Sequence, residues 1–297
     1  MDLAPVPRLE PAEVLAQLRE HLGADLQLLG PLPGGQVGAA LVAWPDGRRG
    51  VLKAGGASPE AWQQVERTAG LLALARGRGI PAPEYALVAR LPDRIAVVQE
   101  LLPGAPPAQV EVPLVEEMTG LTERAAGLLS ACPDVPAVPL YLLRSGPGFC
   151  LHQPLAQYDG RTRMLLDLVR RIGTEHPTTL AGDDLVHTDF HPGNVLVDRT
   201  GAITGVVDWD GVGRGDRRFD LVTLRFDMAL PGTDQRERSA RRAAAQWLDA
   251  RLDDVLEPAL LRAYWAHMSL RLVDWSIRHH GPDDVDRWLT VAATRLG

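Results

Sequence analysis

Apolar positions recur at helical spacing from Pro11 to Leu22, where Val14, Leu15, Leu18 and Leu22 share one face. The pattern then changes to short apolar runs broken by turn residues. Leu26 to Leu32 ends at Pro33-Gly34-Gly35, Val37 to Trp44 closes on Pro45-Asp46-Gly47, and Arg49 to Ala54 is a third run. Three strands are predicted, with Asp46-Gly47 as a hairpin turn. Ser58-Pro59-Glu60 then supplies an N-cap, a proline at the first helical position and an acid in the first turn, which opens a helix to about Arg76. Two more strands, Tyr85 to Arg90 and Arg94 to Glu100, follow Pro81 and Pro83. The stretch from Leu101 to Pro107 is rich in Pro and Gly and predicts a boundary between lobes at 1–104 and 105–297.

Beyond that boundary the periodicity is mainly helical. Helices are predicted over Leu114 to Ala131 and Arg161 to Glu175, separated by a segment, 132–160, that carries five prolines. Its length predicts a functional insertion. A strand pair, Val195 to Asp198 and Ile203 to Asp208, brackets Arg199-Thr200-Gly201. From Phe219 onward four or five helices are predicted, broken at Pro231-Gly232, Pro258 and Gly281-Pro282. The fold class is therefore α+β: a small antiparallel sheet with one helix, then a larger and mostly helical lobe.

Composition changes the picture at one residue. Of 31 basic residues in 297, all but Lys53 are arginine. Lys53 lies between Leu52 and Ala54, outside any G-x-x-x-x-G-K-[ST] loop, so P-loop chemistry is excluded. An ammonium can serve a phosphate and a carboxylate together as a compact point charge, which a guanidinium fork does poorly. Chance retention of a surface lysine is the competing explanation. The net charge of −7 excludes a broad nucleic-acid-binding face, and Cys132 and Cys150 are too few for a disulfide framework. With no basic leader and no membrane-length apolar run, a cytoplasmic protein is expected.

The densest chemistry lies in His187-Thr188-Asp189-Phe190-His191-Pro192-Gly193-Asn194 and in Asp208-Trp209-Asp210. An Asp with an Asn five positions later, and a second Asp at the end of the next strand, matches the needs of magnesium-dependent phosphoryl transfer. Pro192 and Gly193 make the first segment a loop, which disfavours His187 and His191 as zinc ligands on a helix. Turn capping and strand ends explain each residue singly. They explain less well the ordered set, with Lys53 in a third strand and Glu66 in the helix after it.

The sequence resembles the aminoglycoside phosphotransferase family, small-molecule kinases of the protein-kinase-like fold. The resemblance is carried by Val186 to Val197, by Val206-Val207-Asp208-Trp209-Asp210, by Gly215 to Leu221, and in support by Lys53, Glu66 and the Gln99 to Gly104 hinge. It spans about Leu26 to Leu230, and it departs from the family at Thr188, where Gly is more usual. It implies ATP and Mg²⁺ as cofactors. Asp189 would then be the catalytic carboxylate, Asn194 and Asp208 the metal ligands, and Lys53 the phosphate contact held by Glu66. Backbone groups of Glu100 and Leu102 would hold adenine, and Gly34 and Gly35 would cover the phosphates. His187, Asp216 and Asp220 would brace the catalytic loop.

The acceptor is expected to be a small molecule with a hydroxyl group and a positive charge. Residues up to Gly104 carry 10 basic and 11 acidic side chains, so most of the net negative charge falls on the second lobe. An amine-bearing antibiotic is the leading class, with a metabolite kinase or a nucleotide-binding pseudoenzyme as alternatives. His191, Asp210, Asp159, Asp274 and Trp275 are the candidate acceptor contacts, although a plain structural role suits the last three better.

Overall fold

The computed structural model describes residues 9–32 and 38–297. Gly34, Gly35 and the expected start of a strand at Val37 lie outside the described residues. In chain order the strands are β1 (Gln27–Leu32), β2 (Ala39–Ala43), β3 (Arg49–Gly56), β4 (Tyr85–Arg90), β5 (Arg94–Glu100), β6 (Asp184–Val186), β7 (Val195–Val197), β8 (Ile203–Val206) and β9 (Gly213–Gly215). The helices are α1 (Pro11–Leu22), α2 (Pro59–Gly77), α3 (Val112–Arg124), α4 (His152–Tyr158), α5 (Gly160–Thr174), α6 (Arg218–Asp227), α7 (Gln235–Val255), α8 (Pro258–His279) and α9 (Pro282–Leu296). The chain divides into two compact units. The first extends through Ala105 and takes in Leu196–Arg199 and Thr204–Asp210. The second comprises Pro106–Val195, Thr200–Ile203 and Gly211–Gly297.

In the first unit an antiparallel sheet runs in the order β1-β2-β3-β5-β4. Val14 and Leu18 of α1 pack on one face against Val42, Leu52, Ala96 and Val98. Successive side chains of a strand point to opposite faces. With Leu52 committed to the α1 face, Lys53 is directed to the other, opposite Val97 in the β3–β5 register. Backbone bonds between Ala105 and Val197, and from Val206 N–H to the Pro81 carbonyl at 2.8 Å, tie the returning segments to this unit. Gly104 has φ 104, and a Cβ there would meet Thr204 Oγ1 at 2.6 Å and the Val197 carbonyl at 2.7 Å. Both features require glycine at this bend.

The second unit is built on α8, whose Tyr264, Trp265, Met268 and Val273 join Phe219 and Phe226 of α6, Leu166 and Val169 of α5, and Trp288 of α9 in one core. Two expectations change here. The helix predicted to Ala131 ends at Arg124, and Gly127 has φ 61. There the backbone bonds elsewhere: Gly127 N–H to Asp184 Oδ1, Leu129 N–H to the Asp183 carbonyl and Leu185 N–H to the Ala125 carbonyl. Tertiary hydrogen bonds replace the last helical turns. The segment 132–160 also contains a helix that its prolines concealed, α4, with Pro154 in the first turn where no donor is lost. Leu140, Leu142, Cys150 and Leu155 bury this segment in the core, so much of it is scaffold. Among the described residues no helix is long and apolar enough to cross a membrane.

Asp216, nearly buried, receives two bonds from the Arg218 guanidinium and one at 2.9 Å from the Tyr264 hydroxyl. A hydrogen bond to a buried charge contributes about 1.5–3 kcal/mol. Tyr264→Phe is therefore expected to lower unfolding free energy by about that amount in urea denaturation, whereas a loss below about 0.5 kcal/mol would mean that Arg218 alone satisfies the carboxylate.

Candidate functional site

In the first unit, Lys53 Nζ lies 2.9 Å from Asp208 Oδ1 and 3.7 Å from Asp210 Oδ2. Burial opposes the Lys53 charge, but the two carboxylates more than offset it and raise its pKa. Asp210 is shifted up by burial and by repulsion from Asp208, against the pull of Lys53. Two carboxylates sharing one ammonium leave a net negative charge, which suits a further cation. Asp208 follows β8 with φ 64, a left-handed conformation that costs a non-glycine residue energy and that clusters at functional sites. The Tyr85 hydroxyl is also shifted up, by burial and then by Asp210 and Asp208.

Glu66 does not join this cluster. It is exposed, on the α2 stripe shared with Gly70, Ala73 and Gly77. The buried residues Thr68, Leu71, Leu72 and Ala75 set the rotation of the helix and turn Glu66 to solvent. The expected partner of Lys53 is thus replaced by Asp208 and Asp210. In the hinge, Glu100 N–H is committed to the Glu84 carbonyl at 2.7 Å, so that donor is unavailable to a base. Leu102 packs on Gly205, where a Cβ would meet its Cδ1 at 2.9 Å.

The second unit holds the loop after β6. Asp220, near the start of α6, accepts the His187 and Thr188 N–H groups at 2.8 Å each. Burial raises its carboxyl to about 7, against the opposing effect of these two donors. Thr223 Oγ1 donates to the Phe190 carbonyl at 3.0 Å. His187 is buried, and its Nδ1 accepts the Asp189 N–H. Asp216 bonds the Arg218 guanidinium and the Tyr264 hydroxyl and so ties α6 to α8.

Three residues then surround Asp189. Arg271 Nη2 donates to its Oδ1 at 2.8 Å, while Arg271 Nη1 donates to the Thr188 carbonyl at 2.7 Å. His191 Nε2 stands 3.6 Å from Oδ2, and the Asn194 amide donates to the Asp189 carbonyl at 2.9 Å. Burial would raise Asp189, yet the His191 contact and the charges of Arg271, His191 and His187 hold it well below the usual carboxylate range. Gly193 N–H donates to His191 Nδ1, which places the proton of the neutral ring on Nε2, toward Asp189. Burial opposes protonation of His191, but Asp189 and Asp227 together raise its pKa. Since Asn194 uses its amide nitrogen on Asp189, its amide oxygen remains for a cation.

The expected metal ligands are divided between the units, Asn194 in the second and Asp208 in the first. Among the described residues no three His, Cys, Asp or Glu side chains converge on one point. Hard oxygen donors in small number suit Mg²⁺, which retains several waters. Among the candidate acceptor contacts, His191 is part of the loop cluster and Asp210 part of the Lys53 cluster. Asp159 is instead the N-cap of α5, bonded to Thr162 N–H at 2.8 Å. Asp274 is fully buried and receives Leu151 N–H and the Arg278 guanidinium. Trp275 packs on His279 at 4.2 Å. Sequence reasoning missed Arg271 and Asp227. For Arg271 the available signal was spacing: Tyr264, His267, Arg271, Asp274 and Arg278 recur every three or four residues along one face of α8.

Thr188 has φ 71, which accounts for the usual glycine at this position in the family it resembles. Its Oγ1 donates to the Gly211 carbonyl at 3.2 Å, and a Cβ on Gly211 would collide with the same Oγ1. Gly211→Ala is expected to destabilise the protein by about 1–3 kcal/mol, as overpacking does. Adding Thr188→Gly should recover most of that loss. A double-mutant cycle by urea denaturation that found the two changes additive would contradict this coupling.

None of the curated protein sequences matches the chain. Among solved structures it is similar to aminoglycoside phosphotransferase APH(4)-Ia, with a TM-score of 0.68 and 16% identity over 96% of this chain and 98% of that one. It is also similar to the amicoumacin kinase hAmiN, with a TM-score of 0.62 and 16% identity over 99% and 92% of the two chains. A protein from Haemophilus somnus 129PT described as a fructosamine-3-kinase has a TM-score of 0.55 and 13% identity over 96% and 97%. At these identities the likeness establishes the protein-kinase-like fold. The model of the APH phosphotransferase enzyme family matches residues 29–254, most of the length, and the chain therefore belongs to this family of phosphotransferases.

Proposed function

We propose that the protein transfers the γ-phosphoryl group of ATP, with Mg²⁺, to a hydroxyl of a small molecule, and that this acceptor is an amine-bearing antibiotic. The observation that carries the reading is the clamped state of Asp189. Arg271 holds its Oδ1 and Asn194 its carbonyl, while Oδ2, approached only at long range by Asn194 Nδ2 at 3.4 Å and His191 Nε2 at 3.6 Å, keeps a lone pair for a hydroxyl proton. The acceptor oxygen forms its bond to phosphorus as the bond to ADP breaks, and the proton passes toward Asp189. Lys53 offers a point charge to the nucleotide phosphates, while Asp208 and Asn194 offer oxygen ligands. When bound, Mg²⁺ neutralises charge on the transferring group. The antibiotic assignment is supported by relatives solved with hygromycin B and with amicoumacin.

A second reading, a metabolite kinase, is favoured by Arg271. This guanidinium stands beside Asp189, where a cationic acceptor would meet like charge. The fructosamine-3-kinase-like neighbour agrees with it.

Purified protein with Mg-ATP, screened against aminoglycosides, basic peptide antibiotics and common hydroxylated metabolites by mass gain of one phosphoryl group, separates the two readings. Gain with metabolites alone would overturn the antibiotic assignment. Asp189→Asn is expected to lower kcat by about 10²-fold or more while nucleotide affinity is retained, and equal turnover would remove Asp189 from the mechanism. Lys53→Arg keeps the charge but should impair turnover, because the fork cannot occupy the place of the ammonium. Unchanged kinetics in that variant would make Lys53 an accident of composition.

A further inference from the structure

The second unit contains a cavity of about 400 Å³ between α7, α9 and the turn that ends α6. Its lining includes the apolar residues Met228, Ala229, Leu230, Ala245 and Val291 together with five arginines, and no acidic residue. In a chain of net charge −7 this concentration of one sign is unusual.

The five guanidiniums are unequally satisfied. Arg225 and Arg295 share one carboxylate, Asp249, at 2.8 and 2.6 Å. Arg241 is neutralised by Asp227 and Glu237. Arg238 has only neutral acceptors at long range, the Gly232 carbonyl at 3.3 Å and Gln235 Oε1 at 3.4 Å. Arg242 is exposed, and among the described residues neither Arg238 nor Arg242 forms an ion pair. Residues 238, 241, 242 and 245 lie three or four apart, so α7 turns these groups to the cavity together. The opposing residues of α9, Val291, Thr294 and Arg295, do the same. Guanidinium groups lining one cavity with apolar side chains, two of them without a carboxylate, match an anion that carries an apolar body.

We propose that this cavity is a binding site for an amphipathic anion, a carboxylate or phosphate ester with an apolar moiety, separate from the nucleotide and acceptor sites. Arg238 and Arg242 hold the anionic head, and Met228, Leu230 and Val291 hold the body.

The probes are phenyl phosphate and phenylacetate, with benzylamine as the control of opposite charge and inorganic phosphate as the head without the body. Calorimetry on the full chain is expected to show saturable binding of at least one aromatic anion, weaker binding of inorganic phosphate and none of benzylamine. The double variant Arg238→Ala, Arg242→Ala removes exposed groups that no carboxylate depends on, so its fold and its ATP affinity should be unchanged. Its affinity for the anion should fall at least tenfold. Preference between the two aromatic anions identifies the head group. Absence of saturable binding, equal binding by the double variant, or displacement of the probe by Mg-ATP would each overturn the assignment.

Discussion

The arrangement around Asp189 depends on one buried carboxylate. Asp220 is 4% exposed and accepts two adjacent backbone N–H groups, those of His187 and Thr188. Two such bonds from consecutive residues fix the orientation of both peptide planes, and they hold Thr188 at a left-handed φ that it would not otherwise keep. Asp220 stands on α6, whose Phe219 and Phe226 belong to the main core. The aim of the Asp189 carboxylate is therefore referred to the main packed core of the second unit.

Electrostatics then divides the labour. In the second unit Asp189 is matched by Arg271 and His191, which stabilise its ionised form in a partly buried place. In the first unit the balance is reversed, because Asp208 and Asp210 share one lysine. One cluster keeps a carboxylate charged and oriented, and the other leaves net negative charge. Strain follows the same division: among the described residues three non-glycines have positive φ, and two of them are Thr188 and Asp208.

Much of the organisation was legible in the order of residues. The strands β4 and β5 appear at the expected residues, and the Ser58-Pro59-Glu60 signal opens α2 at Pro59. Such features are local, set by turns, caps and side-chain periodicity within a few residues. The motif from His187 to Asn194 was also legible as a mark of the family, because its residue types stand at short spacing. Less visible were α4, whose prolines resemble a breaker until Pro154 is seen to fall in a first turn, and the early end of α3, imposed by bonds to residues nearly sixty positions away.

The sequence by itself determined the fold class, the family and the residue types of the loop from His187 to Asn194, since these reside in local pattern and motif. Only the tertiary structure decided the partners. It set Lys53 against Asp208 and Asp210 rather than Glu66, because the buried face of α2 turns Glu66 outward. It brought Arg271 to Asp189 from 82 residues away and buried Asp274 as a scaffold acid. Ion pairs between distant segments depend on how helices rotate to bury their apolar faces, a property of the packed core that no short window of sequence contains.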